Sequence, residues 1–436
     1  MKNFRERAAL TLLLFMCAFS ACATRTDIVP ARSDASRTLV QLSSAETDAA
    51  EPAAAADGNG NLYVLYVEHA QDKSADLFLR KFDASLNGLG GPVRINPTRG
   101  EARAWQGDPP TIKIGPNGDV YVGWTSRSEE GAGTILWLSV SRDSGASFEP
   151  PVKVNDDALP ASHGMHSLAV DGRNRVYVAW LDERNLEPEH AVSESRTNAV
   201  PTNGYYVIPA DHKQHLSGNS GEAERQKEPN SEVFFAISDD GGRTFSANQR
   251  IASNVCPCCK TALAIGPDDR IYAAWRQVVG DNFRHIAVAS SNDGGGSFGP
   301  AVIVSDDQWQ IAACPVSGPV LSTDTSGLSV YWYTAGLAGQ PGIYTARSAN
   351  AGKTFSPRQL ISSETASGTP ALILGQSGDG LVFNAKDKTV AVETSGKVRI
   401  IGEGSNPAAA SVSGRSVVAF VKTDGETRSV WITAIG

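Results

Sequence analysis

Seven spaced copies of one strand pattern, a near absence of helical periodicity and a turn-rich composition predict an all-β protein: a seven-bladed β-propeller of four-stranded antiparallel blades. The pattern is plainest in the second strand of each unit. It reads Leu62-Tyr-Val-Leu-Tyr66, Val120-Tyr-Val-Gly-Trp124, Val176-Tyr-Val-Ala-Trp180, Ile271-Tyr-Ala-Ala-Trp275 and Leu328-Ser-Val-Tyr-Trp332, with looser copies at 381–383 and 417–420. Each copy follows a short apolar strand and a Gly, Asn or Asp turn, as tight hairpins require. β-Branched and aromatic side chains interleaved with small ones suit strands packed on both faces.

A third strand follows, as at 135–140, 233–237, 286–289 and 343–346, and then a fourth, as in Val93-Arg-Ile-Asn96, Val152-Lys-Val-Asn155 and Val302-Ile-Val-Ser305. Units of about 57 residues fit propeller blades with variable loops. Six blades is the alternative, because the sixth unit is only about 39 residues long. The last unit supplies three strands, ending with Val430-Trp-Ile-Thr433, whereas Leu39-Val-Gln-Leu-Ser43 matches the fourth-strand pattern and has no unit of its own. The N-terminal strand is therefore expected to complete the last blade and close the ring.

Composition agrees with a large folded body. Of 436 residues 41% are hydrophobic and 20% charged, with 42 Gly and 23 Pro, which excludes disordered, collagen-like and coiled-coil chains. A net charge of -8 without a Lys/Arg cluster excludes a nucleic-acid partner, whose phosphates require a basic face.

The first 22 residues carry Lys2, Arg5 and Arg7, an apolar run from Ala8 to Phe19, and then Ser20-Ala21-Cys22. This is the layout of a secretory signal peptide, too short for a spanning helix. Small residues before Cys22 resemble the lipobox of bacterial lipoproteins, which implies acylation at Cys22, export and a lipid anchor in the cell envelope on its periplasmic or outer-membrane face. The expected organisation is a signal peptide over 1–21, a polar tether over 22–36 and a propeller over 37–436, with an insertion at about 185–230.

Between third and fourth strands stand Ser141-Arg-Asp143-Ser-Gly145-Ala-Ser147-Phe148, Ser238-Asp-Asp240-Gly-Gly242-Arg-Thr244-Phe245, Ser291-Asn-Asp293-Gly-Gly295-Gly-Ser297-Phe298 and Ser348-Ala-Asn350-Ala-Gly352-Lys-Thr354-Phe355. Asp143, Asp240, Asp293 and Asn350 can accept turn amides, the glycines can take positive φ, and the phenylalanines can plug each turn onto its blade. These segments resemble the Asp-box (BNR) repeat of the sialidase-like β-propeller superfamily, in which the boxes are structural and lie opposite the active site. Sialidases use an arginine triad against the substrate carboxylate, a Tyr/Glu nucleophile pair and an Asp acid/base. The resemblance would place such an exo-glycosidase site at Arg103, Arg184, Arg276 and Asp182, with Asp108, Glu183, Tyr331 and Tyr333 nearby. The family's N-terminal Phe/Tyr-Arg-Ile-Pro motif is missing.

A second constellation comes from the residues themselves. The innermost strands of three consecutive blades are entered by His163-Gly-Met165-His166, Cys256-Pro-Cys258-Cys259 and Cys314-Pro-Val-Ser-Gly318, which in-phase repeats bring to one rim of the central channel. Thiolate, thioether and imidazole donors suit a transition metal, copper ahead of zinc. A disulfide between Cys256 and Cys314 is the structural alternative, although it leaves His163, Met165 and His166 without a role. His190, His212 and His215 in the insertion could cover the same rim. Three functions follow: an envelope lipoprotein binding a metal for handling or redox work, a sialidase-like glycoside hydrolase, or a scaffold holding a glycan or protein on its upper face.

Overall fold

A computed structural model describes residues 39–44, 46–128, 133–186, 200–202, 205–207, 230–311, 315–363, 365–373, 380–385, 389–394 and 397–435. Among these every regular element is a β-strand, and the strands form a propeller. Its repeating unit is seen in β2 (Asp48–Ala56), β3 (Leu62–His69), β4 (Ala75–Phe82) and β5 (Val93–Arg94), paired in chain order. The second strand of a unit carries the core because neighbours cover both its faces. In β12 (Val176–Asp182) every residue is buried. Its terminal Trp keeps its indole N–H satisfied: Trp180 donates to Asp182 (2.7 Å), Trp275 to Gln277 (2.7 Å) and Trp332 to Asp307 (2.7 Å).

The number of separate sheets departs from the seven or six expected. Five stand as individual blades, four of them four-stranded and one five-stranded because its first strand is split into β6 (Ala102–Arg103) and β7 (Thr111–Ile114). The remaining units join in one eight-stranded sheet. There β16 (Gln249–Val255) pairs with β18 (Ile271–Val279) through the single register Val255↔Gln277. The run of β16 as far as Val255, which meets Gln277 of the next unit, makes that bridge.

The N-terminal β1 (Leu39–Gln41) pairs antiparallel with β31 (Thr427–Ile435), Leu39 opposite Thr433. Arg428 then ties β31 to the first unit, donating to Asp48 (2.6 Å) and Glu51 (3.3 Å). Residues of both chain ends share one buried core with Leu42, Val64, Val430 and Ile432.

The four Ser-x-Asp/Asn-x-Gly turns repeat one hydrogen-bond pattern. Asp240 accepts from the Thr244 amide (3.0 Å) and hydroxyl (2.6 Å), and Gly242 N–H donates to Ser238 Oγ (2.7 Å). The equivalent bonds hold Asp143, Asp293 and Asn350. Gly145, Gly242, Gly295 and Gly352 all adopt φ between 80 and 94°, where an L-residue is strained. Each glycine also abuts the preceding blade: a Cβ on Gly242 would stand 2.7 Å from Leu138 and 2.9 Å from Val140. The turns are thus staples between blades as well as hairpin closures. Gly242→Ala is expected to cost about 1–3 kcal/mol, from the left-handed backbone plus displacement of those two side chains. Chemical denaturation measures it, and an unchanged midpoint would remove the staple role.

Within the insertion β13 (Val200–Thr202) and β14 (Tyr205–Val207) form a two-stranded hairpin. Cys22, His190, His212 and His215 lie outside the described residues, as does Cys314.

Candidate metal centre

The innermost strands surround a channel, and their entry points are irregular in a shared way. Register shifts break the first ladders at Ala50/Ala53, Gly164/Ser167 and Ser405/Ala408. Glu51 (φ 50°), Met165 (φ 53°), Val316 (φ 46°) and Asn406 (φ 50°) sit in the left-handed region at these entries. Such backbone costs about 1–3 kcal/mol per residue and is kept where surrounding bonds over-determine it. Met165 shows the means. Its amide donates to Asp108 (2.7 Å), and its carbonyl accepts from the Thr261 amide (3.0 Å) and hydroxyl (3.1 Å). One side of the clamp lies just ahead of β7; the other is the residue before β17 (Ala262–Ile265).

Cys256 follows directly on the β16 bridge, its amide bonded to the Arg276 carbonyl (2.8 Å). Pro257 fixes the next φ, and the chain turns so that Cys259 N–H faces Cys256 O (3.5 Å). Three sulfurs converge as a result. Cys256 Sγ lies 3.7 Å from Cys258 Sγ and 3.4 Å from Cys259 Sγ, and all three fall within 4.8 Å of one another. They are free thiols, each no more than 1% exposed. Two thiolates on one ion at a bond length of ~2.3 Å would stand about 3.8 Å apart in a tetrahedral arrangement, whereas a disulfide needs about 2.05 Å. The spacing suits a shared soft cation. Met165, Trp275 and Val316 belong to the same buried hydrophobic cluster as the three cysteines.

Burial pushes the Cys256 and Cys259 thiols up to about 12, against the pull of Arg284 on Cys256 and of Arg276 on Cys259. Both guanidiniums are fully buried. Arg276 donates to the Ser317 carbonyl (2.8 Å) and the Tyr333 carbonyl (2.8 Å) and lies 4.8 Å over the Trp309 ring. Sequence reasoning overlooked Arg284. Its signal was a charged residue inside β19 (Phe283–Ser291), a strand otherwise buried along its middle.

The two imidazoles stand apart from the sulfurs. His163 donates through Nδ1 to the Thr134 carbonyl (2.6 Å), with Nε2 3.1 Å from Asp157 and 3.6 Å from Asp182, an off-line ion pair rather than a good hydrogen bond. Both ring nitrogens face acceptors, which selects the imidazolium. Burial alone would lower its pKa, but Asp157, Asp182 and the Thr134 carbonyl raise it above the ordinary histidine value. His166 Nδ1 lies 3.5 Å from Asp108, with the ring against Gly123. Neither histidine joins the group of converging sulfurs.

A raised native pKa means that His163 stabilises the fold fully below about pH 6.5 and that this is lost as pH rises through the native value. The melting-temperature advantage of the native protein over His163→Gln is therefore expected to be larger at pH 6 than at pH 9. A difference independent of pH would show a neutral ring. Asp157 is held well below the carboxylate range despite burial, by His163, Asn155 and Arg184, so its own contribution is lost only in strong acid.

The residues that the sialidase resemblance singled out are engaged with their own neighbours. Arg184 forks onto Asp182 (2.8 and 3.0 Å), reaches Asp156 (2.6 Å) and Asn248 (2.9 Å), and covers the Phe234 ring at 4.4 Å. Arg276 is buried as described. Arg103, on β6, gives its carbonyl to Thr125 (2.7 Å) and also holds a further partner.

No family model and no curated protein matches the chain. Similar solved structures are propellers. They include a protein of unknown function from Dyadobacter fermentans (14% identity, 91% of this chain and 97% of that one, TM-score 0.48). A Penicillium chrysogenum alpha-L-arabinanase complexed with arabinobiose follows (15% identity, 75% and 92%, TM-score 0.48), as does a leech intramolecular trans-sialidase (12% identity, 86% and 83%, TM-score 0.47). At these identities the likeness concerns architecture alone.

Proposed function

We propose that the protein is an exported, lipid-anchored propeller of the cell envelope that binds copper as Cu(I) at its channel rim, for metal handling or redox work. The observation that supports this is the convergence of Cys256, Cys258 and Cys259, whose buried sulfurs lie within 4.8 Å of one another, with Met165 in the same extended buried cluster. Three thiolates and a thioether are a soft donor set, which favours Cu(I) over calcium, magnesium or manganese and competes well for zinc. His163 and His166 act in this reading as supports of the rim, through Asp157 and Asp108, and not as ligands. Cys314 would be a further thiol from the neighbouring rim entry. On the same reading the eight-stranded sheet is two blades bridged at Val255–Gln277, which makes the ring sevenfold, closed by the N-terminal strand, and sets the thiols at the bridge. Val316, which belongs to the same buried cluster as the thiols and also lines the channel, marks a route for the ion.

The test is titration of the reduced protein with Cu(I) against a chromophoric chelator, with sulfur coordination read by X-ray absorption. One equivalent bound through sulfur is expected. A protein that stays metal-free after reduction and reconstitution would make the cluster a packing feature. A glycoside hydrolase is the weaker reading, since Arg184 and Arg276 are already bonded within the fold.

A further inference from the structure

We infer that Arg276 and Arg284 are the built-in counter-charges of the thiolate centre and select a singly charged ion for it, an inference that rests on the copper reading. Both guanidiniums are fully buried. The Cys256 amide donates to the carbonyl of Arg276 (2.8 Å), directly beyond the Val255↔Gln277 bridge. On the β18–β19 ladder Arg276 stands opposite Ile286 and Arg284 opposite Val278, so the two arginines are diagonal neighbours on one face. Val278, on that same face, belongs to the buried cluster of the three cysteines. Each arginine acts on a thiol electrostatically, Arg284 on Cys256 and Arg276 on Cys259. The side-chain partners of Arg276 are neutral: the Ser317 and Tyr333 carbonyls and the Trp309 ring, with Nη1 lacking a hydrogen bond among the described residues.

Other charges of this rim are matched. Lys260, next to Cys259 in sequence, gives its ammonium to the Pro109 carbonyl (2.9 Å) and lies within the attraction of Asp108, while His163 meets Asp157 and Asp182. No carboxylate or imidazole among the described residues joins the three sulfurs. The sum of charges then decides between ions. Three thiolates around Cu(I) carry two negative charges, which the two guanidiniums cancel, whereas a divalent ion on the same donors leaves one surplus positive charge. A surplus charge in a buried site is strongly disfavoured. Softness alone sets Cu(I) above hard cations; the charge count adds discrimination against Zn(II) and Cu(II), which thiolates and imidazoles also hold. Arg276 and Arg284 are not ligands in this scheme. They fix the charge that the site can hold.

Competition titrations of the reduced protein with Cu(I) and, separately, with Zn(II) test the inference. The readout is the ratio of the two affinities, because general damage to the pocket weakens both ions alike. Arg276→Met and Arg284→Met are each expected to lower the Cu(I)-to-Zn(II) ratio by about tenfold or more, the worth of one partly screened unit charge at close range. Arg276→Lys and Arg284→Lys keep the charge and should stay near the native ratio, with far-UV circular dichroism unchanged throughout. X-ray absorption of the native copper form needs no variant and should find at least three sulfurs on the ion. Copper held by only two sulfurs, or an unchanged ratio in a folded Arg276→Met or Arg284→Met protein, would overturn the counter-charge role and leave copper binding standing. A native protein that takes up no Cu(I) would remove both.

Discussion

A protein lacking residues 37–44 is expected to melt several degrees below one that begins at residue 37. The deletion takes away β1, three residues that pair with β31, and with it the buried Leu42. Leu42 N–H donates to Val430 O (2.8 Å), Arg80 donates to Leu42 O (3.0 Å), and Val430 N–H donates to Ser43 Oγ (3.3 Å). Removing a buried leucine costs about 2–5 kcal/mol, and each hydrogen bond lost adds about 0.5–1.5 kcal/mol. The edge of β31 is left unpaired as well, a template for association between molecules. Differential scanning calorimetry and light scattering read both consequences. Equal melting of the two truncations would mean that β1 merely decorates the sheet, with Arg428–Asp48 and the shared core of Leu42, Val64 and Ile432 reduced to their other members.

The strand pattern made the fold legible because second strands lie between neighbours and must be largely apolar on both faces, as along β12 from Val176 to Leu181. The turns were equally legible, since only a side-chain acceptor followed by glycine satisfies the hydrogen bonds seen at Asp240 and Gly242. The fusion of two units was not. Whether β16 stops early, like the two-residue fourth strands at Val93–Arg94 and Val152–Lys153, or runs on to Val255 depends on a pairing with Gln277, which lies in the next unit. At the rim, repeat phase brought Met165 and the cysteines to neighbouring strand entries, and they belong to one extended buried cluster. It placed the histidines at the same entry but said nothing of side-chain direction: His163 turns to Asp157 and His166 to Asp108. Residues two apart on a strand share a face, and the left-handed residue at Met165 breaks that rule within a three-residue span.

Cys256→Ser together with Cys259→Ser is expected to weaken Cu(I) binding by about four orders of magnitude or more, because it removes two of the three converging thiols and leaves Cys258 alone of that group. The fold should survive: serine nearly matches cysteine in shape, and the cluster sits at the mouth of a ring held by strand pairing elsewhere. The buried hydroxyls will still cost some stability, so melting must be measured beside binding. The pH dependence separates coordination from simple trapping. With the Cys256 and Cys259 thiols pushed up to about 12 by burial, these two are protonated at neutral pH without metal, and each thiol that binds copper as thiolate releases a proton. Affinity should therefore rise with pH by up to about three decades per unit, the number of thiols that ionise, and fall as the solution is acidified. Chelator competition between pH 6 and 8 measures that slope in the native protein. A flat profile, or a double variant that keeps native affinity, would assign the copper to groups other than these thiolates and leave Cys256, Cys258 and Cys259 as small apolar packing at the junction of β16 with β18.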